Sequence, residues 1–184
     1  MSVQVVCIIP SRYESTRFPG KPLADLCGKP MIQHVYERVL RAKTVSFAAV
    51  ATDDERIFHA VAAFGGRAVM TSPRHRSGTD RIAEAVETMG LRDDDIVVNI
   101  QGDQPLFEPV QVDEVVGPLL ADAAVPMSTL IYRIVLDEEI THPNAVKVVF
   151  DHDHFALYFS RATIPFVRDP GKKVHRQGEI HFPL

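Results

Sequence analysis

Residues 3–9, Val-Gln-Val-Val-Cys-Ile-Ile, make a nearly continuous apolar run that is too short for a helix and dense in β-branched side chains. Such a run reads as a strand buried on both faces, which is how strands look in a parallel sheet covered by helices. That reading demands crossover helices, and the following residues supply them. Pro10 ends the strand, and residues 11–28 form a long polar loop punctuated by Pro19, Gly20, Pro22 and Gly28. Met31, Val35, Val39 and Leu40 then recur at helical spacing, predicting a helix over 31–42 with Pro30 suited to its first turn. Residues 47–52 predict a second strand, 53–64 a helix with an acidic first turn, and 67–70 a short strand after the Gly65-Gly66 stop. Beyond a loop at 71–78, Thr79 or Asp80 is expected to cap a helix running to about Met89. Residues 96–100 read as another buried strand, 109–120 as a helix and 127–134 as a strand. Residues 146–150 and 155–159 read as a hairpin about the polar 151–154. This alternation predicts an α/β fold: a doubly wound, mostly parallel sheet with right-handed crossovers, an antiparallel extension and one domain spanning 1–184. From Arg168 onward there is no periodicity, and a loop or arm is expected.

A formal net charge of −4 argues against a general affinity for nucleic acid, so an anionic ligand must be met by a local cluster of cations. No stretch reaches the ~18 apolar residues a membrane span needs, and the N-terminus lacks the pattern of a signal peptide. Cys7 and Cys27 show no zinc-site spacing, and Cys7 lies within the first apolar run, as a buried free thiol would. The expectation is a cytoplasmic protein without membrane insertion.

In doubly wound sheets, ligands bind outside the carboxyl ends of the strands. That rule selects residues 10–22, 76–81 and 101–105. The first segment places Arg12, Arg17 and Lys21 on a loop directly after strand one. Three cations and loop amides can surround a triphosphate, each charge-assisted hydrogen bond contributing ~1.5–3 kcal/mol. Taken alone, a solvated cationic surface is the alternative reading of the loop. It is no Walker A loop, because Pro22 follows Gly20-Lys21, and it contains no G-x-G-x-x-G turn. Asp103 lies just past a buried strand and beside Gly102, where a carboxylate suits Mg²⁺; a plain turn aspartate before Pro105 is the alternative. Ser77-Gly78-Thr79 can cap the next helix, and Arg81 either supports that loop or is exposed. Asp151-His-Asp-His154 is read as a hairpin turn, since neighbours in an extended segment point to opposite faces.

The stretch Ile9-Pro-Ser-Arg-Tyr-Glu-Ser-Thr-Arg-Phe-Pro-Gly-Lys-Pro-Leu23 closely resembles the opening of the 3-deoxy-manno-octulosonate (Kdo) cytidylyltransferases, the CMP-Kdo synthetases. The more distant CMP-sialate synthetases typically follow the lysine with Asn, so Pro19–Leu23 favours the Kdo branch. Four further segments match in order: Arg76-Ser-Gly-Thr-Asp-Arg81, Asn99-Ile-Gln-Gly-Asp-Gln-Pro105, His142-Pro-Asn-Ala-Val-Lys-Val148 and Ala156-Leu-Tyr-Phe-Ser-Arg-Ala-Thr-Ile-Pro165. The resemblance implies a Rossmann-like nucleotidyltransferase fold, a homodimer, and transfer of CMP from CTP to Kdo for lipopolysaccharide biosynthesis. It implies catalytic roles for Arg12, Arg17, Lys21 and Asp103, with Asp103 a ligand of Mg²⁺. It implies nucleotide contacts from Pro10, Ser15, Arg76, Ser77, Gly78, Thr79, Gln101 and Gly102, the Ser77–Thr79 loop reading the cytosine edge. Sugar-acid contacts are implied for Gln101, Asn144, Lys147 and Arg161. The family pattern continues with a His-x-Gly-x-Tyr strand and a Gly-x-Asp-x-Pro-x-Asp-Leu segment that carries another metal-binding aspartate. Neither occurs in these 184 residues, so a C-terminally truncated form is expected, recognising CTP but making little CMP-Kdo. A CTP-binding remnant without turnover, or a cytidylyltransferase for a sialate-like acid or amino-Kdo, are the alternatives.

Overall fold

A computed structural model describes residues 3–14, 18–166, 168 and 181–183. The 1–184 span divides into two compact units, Met1–Pro126 and Met127–Leu184.

The first unit opens with β1 (Val5–Ser11), followed by a 3-10 turn at Lys21–Leu23 and a small hairpin of β2 (Asp25–Leu26) and β3 (Lys29–Pro30). Then come α1 (Met31–Val39), β4 (Phe47–Thr52), α2 (Glu55–Ala63), β5 (Ala68–Met70), α3 (Gly78–Met89), β6 (Ile96–Asn99) and α4 (Pro109–Ala121). The main sheet runs β5-β4-β1-β6, with every pairing parallel. β1 is central because both of its faces are apolar. Val5, Cys7 and Ile9 join one core with Ile32, Val35 and Val39 of α1, Ile57 and Val61 of α2, and Val112 and Val116 of α4. Val6 and Ile8 point the other way, into a core with Ile82 and Ala85 of α3. The period of two along β1 thus feeds two helix layers. Burial pushes the Cys7 thiol up to about 12, which keeps it protonated and inert.

The helices form where apolar spacing and end signals agree. Ile32, Val35, Tyr36 and Val39 make one buried stripe on α1. Asp54, rather than Asp53, caps α2 by accepting from the Arg56 N–H, so that helix begins two residues after its expected start. The α3 cap is Ser77, ahead of Thr79 and Asp80. Its hydroxyl oxygen accepts from the Asp80 N–H while the Asp80 carboxylate accepts from the Ser77 N–H, a reciprocal capping box.

The second unit is an antiparallel sheet ordered β7-β10-β8-β9, made of β7 (Ile131–Arg133), β8 (Lys147–Phe150), β9 (Ala156–Ser160) and β10 (His181–Pro183). A short α5 (Asp137–Thr141) stands between β7 and β8. The expected strand over 127–134 is confined to β7. The stretch after Arg168, expected as a loop or arm, contributes β10, paired with both β7 and β8. The hairpin reading of 151–154 holds. Asp151 Oδ1 accepts from the N–H groups of Asp153 and Phe155, at 3.0 and 2.8 Å, and closes the turn between β8 and β9. Among the described residues no group of three His, Cys, Asp or Glu side chains is arranged to hold a metal, and no helix is long and apolar enough to cross a membrane.

Candidate active site

The chain moves outward from β1 through β4 to β5 and then returns to the opposite side of β1 to form β6. This reversal leaves a crevice beyond the carboxyl ends of β1 and β6, where ligands bind in such sheets. A cavity of about 370 Å³ opens there. Three separate segments converge on it: Pro10 at the end of β1 with Arg12 and Lys21 from the loop after it; Arg76, Ser77 and Gly78 from the start of α3; and Gln101, Gly102 and Asp103 from the loop after β6. These nine were all singled out from sequence. Thr79 is exposed on α3 and does not line the cavity. Ser15 and Arg17 lie outside the described residues.

Local geometry explains the convergence. Gly20 adopts φ 71, a left-handed conformation that glycine takes without steric penalty, and its N–H donates to the Tyr13 carbonyl at 2.7 Å. The loop therefore folds back on itself and delivers Lys21, whose Nζ donates to Asp103 Oδ2 at 2.9 Å. On the facing loop, a Cβ at Gly102 would lie 2.6 Å from Ser11 Oγ and 3.4 Å from the Pro10 carbonyl oxygen. Only glycine lets the two loops approach this closely. Hydrogen bonding from Ser77, its side chain first, holds the Asp80 carboxyl below its ordinary range and locks the first turn of α3.

Several lining residues escaped the sequence reading. Ser11 ends β1, is buried, and its Oγ has no hydrogen-bond partner among the described residues. Glu14 and Pro22 also line the cavity. A second cavity of about 910 Å³ shares Arg12 and is bounded by Tyr13, Asp53 and Asp54. There Arg56 lies 3.2 Å over the Tyr13 ring and is gripped by both Asp54 oxygens, at 2.9 and 2.6 Å.

Asn144, Lys147 and Arg161 belong to the second unit, where they gather around one turn. Arg161 Nη1 donates to the Pro143 carbonyl at 2.8 Å, and the Asn144 N–H donates to His142 Nδ1 at 3.2 Å. Lys147 departs from its expected role. It is buried, and its ammonium donates to the carbonyls of His142, Ala145 and Arg161 at 2.9–3.0 Å. All three N–H donors are thereby taken, and burial lowers the pKa of the amine. Lys147 ties backbone together rather than presenting its charge to a ligand.

A doubly wound sheet whose switch-point cavity is lined by three cations, Arg12, Lys21 and Arg76, and two carboxylates, Glu14 and Asp103, defines an α/β nucleotide-binding protein. The chain belongs to the cytidylyltransferase family, which it matches over residues 6–182, in the branch of the 3-deoxy-manno-octulosonate cytidylyltransferases. It is 74% identical to the 3-deoxy-manno-octulosonate cytidylyltransferase of Syntrophus aciditrophicus (strain SB), over 90% of this chain and 67% of that protein. It is 55% identical to an 8-amino-3,8-dideoxy-manno-octulosonate cytidylyltransferase of Shewanella sp. (strain ANA-3), over 91% of this chain and 69% of that one. A solved structure of CMP:2-keto-3-deoxy-manno-octonic acid synthetase complexed with CTP superposes with a TM-score of 0.86 at 44% identity, covering 98% of this chain and 71% of that chain.

Proposed function

We propose that the chain transfers CMP from CTP to the anomeric hydroxyl of Kdo and releases pyrophosphate, a step that supplies CMP-Kdo for lipopolysaccharide biosynthesis. The observation that carries this reading is the meeting of the Arg12–Lys21 loop, the Ser77–Gly78 turn and Asp103 around one cavity at the switch point. Names borne by close relatives agree with it. Arg12 and Lys21 bind the triphosphate, with Arg17 assigned to the same loop from its sequence. Pro10, Ser77 and Gly78 form the wall for the pyrimidine, with Thr79 and Arg76 beside them. Gln101, whose Nε2–H donates to Asn99 Oδ1 at 3.0 Å, is assigned to bridge nucleotide and sugar. Asn144 and Arg161 are assigned to the sugar acid.

As a single exposed carboxylate lining the cavity, Asp103 supports Mg²⁺ as the cofactor, with the Lys21 ammonium on it as the cation a metal would displace. When bound, the metal supplies charge neutralisation on the phosphate oxygens. The chain's own contribution is orientation. The sugar oxygen attacks the α-phosphorus in line, its bond to phosphorus forms as the bond to pyrophosphate breaks, and the hydroxyl proton passes to solvent. We assign the enzyme to the cytoplasm as a homodimer. Two free cysteines suit a reducing compartment, and the exposed Leu157 and Tyr158 of β9 suit a partner surface.

The test is pyrophosphate release with CTP and a panel of acids that includes Kdo and 8-amino-Kdo. Slow release that requires both CTP and Kdo is expected, in keeping with the little CMP-Kdo anticipated from the sequence; binding of CTP with no acid-dependent release at all overturns the transfer and leaves the CTP-binding reading. Asp103→Asn, nearly unchanged in volume, is expected to lower turnover by more than about tenfold, ~1.4 kcal/mol of barrier. A smaller loss in a folded variant would remove Asp103 from the metal site.

A further inference from the structure

Arg81 heads the fully buried side chains by size, yet it does not line the 370 Å³ cavity. It sits in the first turn of α3, four residues after the Ser77 cap, and reaches across to the ends of two strands. Its Nη2 donates to Asp53 Oδ2 at 2.7 Å, and its Nη1 donates to Thr71 Oγ1. Asp53 follows β4 and Thr71 follows β5. The Thr71 N–H donates to the Thr52 carbonyl at 2.8 Å, so the two anchors are tied together at the strand ends. A buried ion pair is a weak source of net stability compared with apolar side chains of the same volume. What the pair does fix is the seat of α3 on the carboxyl edge of the sheet.

The consequence falls on Gly78, three residues back and so on the same side of the helix as Arg81. A Cβ at Gly78 would lie 3.3 Å from Pro10 Cγ, so the turn already stands against the end of β1. Ser77, Gly78 and Pro10 together form one wall of the cavity. A shift of α3 by a fraction of an ångström widens or closes that wall. The phosphate-binding cations Arg12 and Lys21 stand on the separate loop after β1, and among the described residues the guanidinium of Arg81 bonds to Asp53 and Thr71 and not to either of them.

We infer that Arg81 is a positioning residue for the nucleoside half of the substrate: through Asp53 and Thr71 it sets the gap between the Ser77–Gly78 turn and Pro10. This rests on the proposed CTP reading of the cavity. The role needs a guanidinium, whose fixed fork serves two acceptors at once; an ammonium keeps the charge but not the fork. The chain and its Arg81→Lys, Thr71→Val and Asp53→Asn variants are titrated by calorimetry with CMP and, separately, with inorganic pyrophosphate. Arg81→Lys is expected to weaken CMP about tenfold, ~1.4 kcal/mol, while pyrophosphate affinity stays within about twofold. Thr71→Val and Asp53→Asn retain the arginine, are expected to show the same split at about threefold for CMP, and decide the matter if Arg81→Lys does not fold. CMP affinity unchanged in every folded variant, or CMP and pyrophosphate falling in the same ratio, overturns the inference while leaving CTP binding intact. Wild-type protein that binds neither ligand overturns the proposed function, and this inference with it.

Discussion

Two ion pairs at the carboxyl edge of the parallel sheet differ mainly in their access to water. Lys21 and Asp103 meet at 2.9 Å with side chains 35% and 56% exposed. Arg81 and Asp53 meet at 2.7 Å with side chains 0% and 18% exposed. Water can replace either partner of the first pair, so it is worth ~0.2–1 kcal/mol and yields readily to a competing ion. In the second, the guanidinium is fully buried and its carboxylate is only 18% exposed, beside the cavity of about 910 Å³, so solvent compensates the loss of a partner far less. The comparison separates two uses of the same chemistry. The exposed pair stands where ligands must displace its members, and the buried pair holds the wall against which the ligand is placed.

The largest expected effect is therefore on stability, and on the buried side. Arg81→Met should lower the unfolding free energy by ~3–5 kcal/mol, read from denaturant unfolding, because Asp53 loses its partner. Arg81→Met with Asp53→Asn should recover part of that loss, since no carboxylate is then left uncompensated. A single variant within ~1 kcal/mol of wild type would show that water reaches Asp53, and the contrast between the pairs would fail.

Lys21→Ala should behave in the opposite way. Its unfolding free energy should stay within ~0.5 kcal/mol of wild type, as is usual at exposed positions. Its affinity for CTP should fall by ~1.5–3 kcal/mol, and its affinity for cytidine should not change, because only the triphosphate meets the ammonium. Equal losses for CTP and cytidine would mean that Lys21 shapes the cavity through Asp103 instead of binding phosphate.

Much of this site was legible in the residues, for a physical reason. β1 announces itself as an unbroken apolar run, so the loop after it is a ligand loop by topology alone. Arg12, Lys21, Ser77, Gly78, Gln101, Gly102 and Asp103 all lie just beyond strand ends, and the structure gathers them around one cavity. What stayed hidden depends on contacts between distant residues. Arg81 and Asp53 are 28 positions apart, and nothing local distinguishes a buried arginine on α3 from an exposed one. Lys147 carries a charge that suits an acidic sugar, but three carbonyls from two chain segments already surround its amine. β10 and α5, at three and five residues, are too short to show a period, and tertiary pairing decides them.

The smallest expected effect extends the comparison to the amino edge of the same sheet, where Arg92 and Asp95 meet just before β6. The Asp95 side chain is 1% exposed and accepts from Arg92 Nη2 at 2.7 Å, the Arg92 N–H at 3.0 Å and the Gln4 N–H at 2.9 Å, the last tying the entry of β1 to that of β6. These bonds, the Arg92 side chain first, hold the Asp95 carboxyl well below the usual carboxylate range. A carboxyl whose pKa is depressed in the folded state stabilises that state above its unfolded value of about 3.9 and loses the contribution as pH falls from there toward the folded value. Wild-type unfolding free energy should therefore drop as pH is lowered from about 5 to 3, and the Asp95→Asn variant should drop less steeply over the same interval. CTP affinity at neutral pH should be the same in both, since this pair lies at the edge away from the cavity. Parallel stability curves would show that the β1–β6 entry contributes nothing to acid sensitivity, and a loss of CTP affinity would show that the two edges of the sheet are coupled.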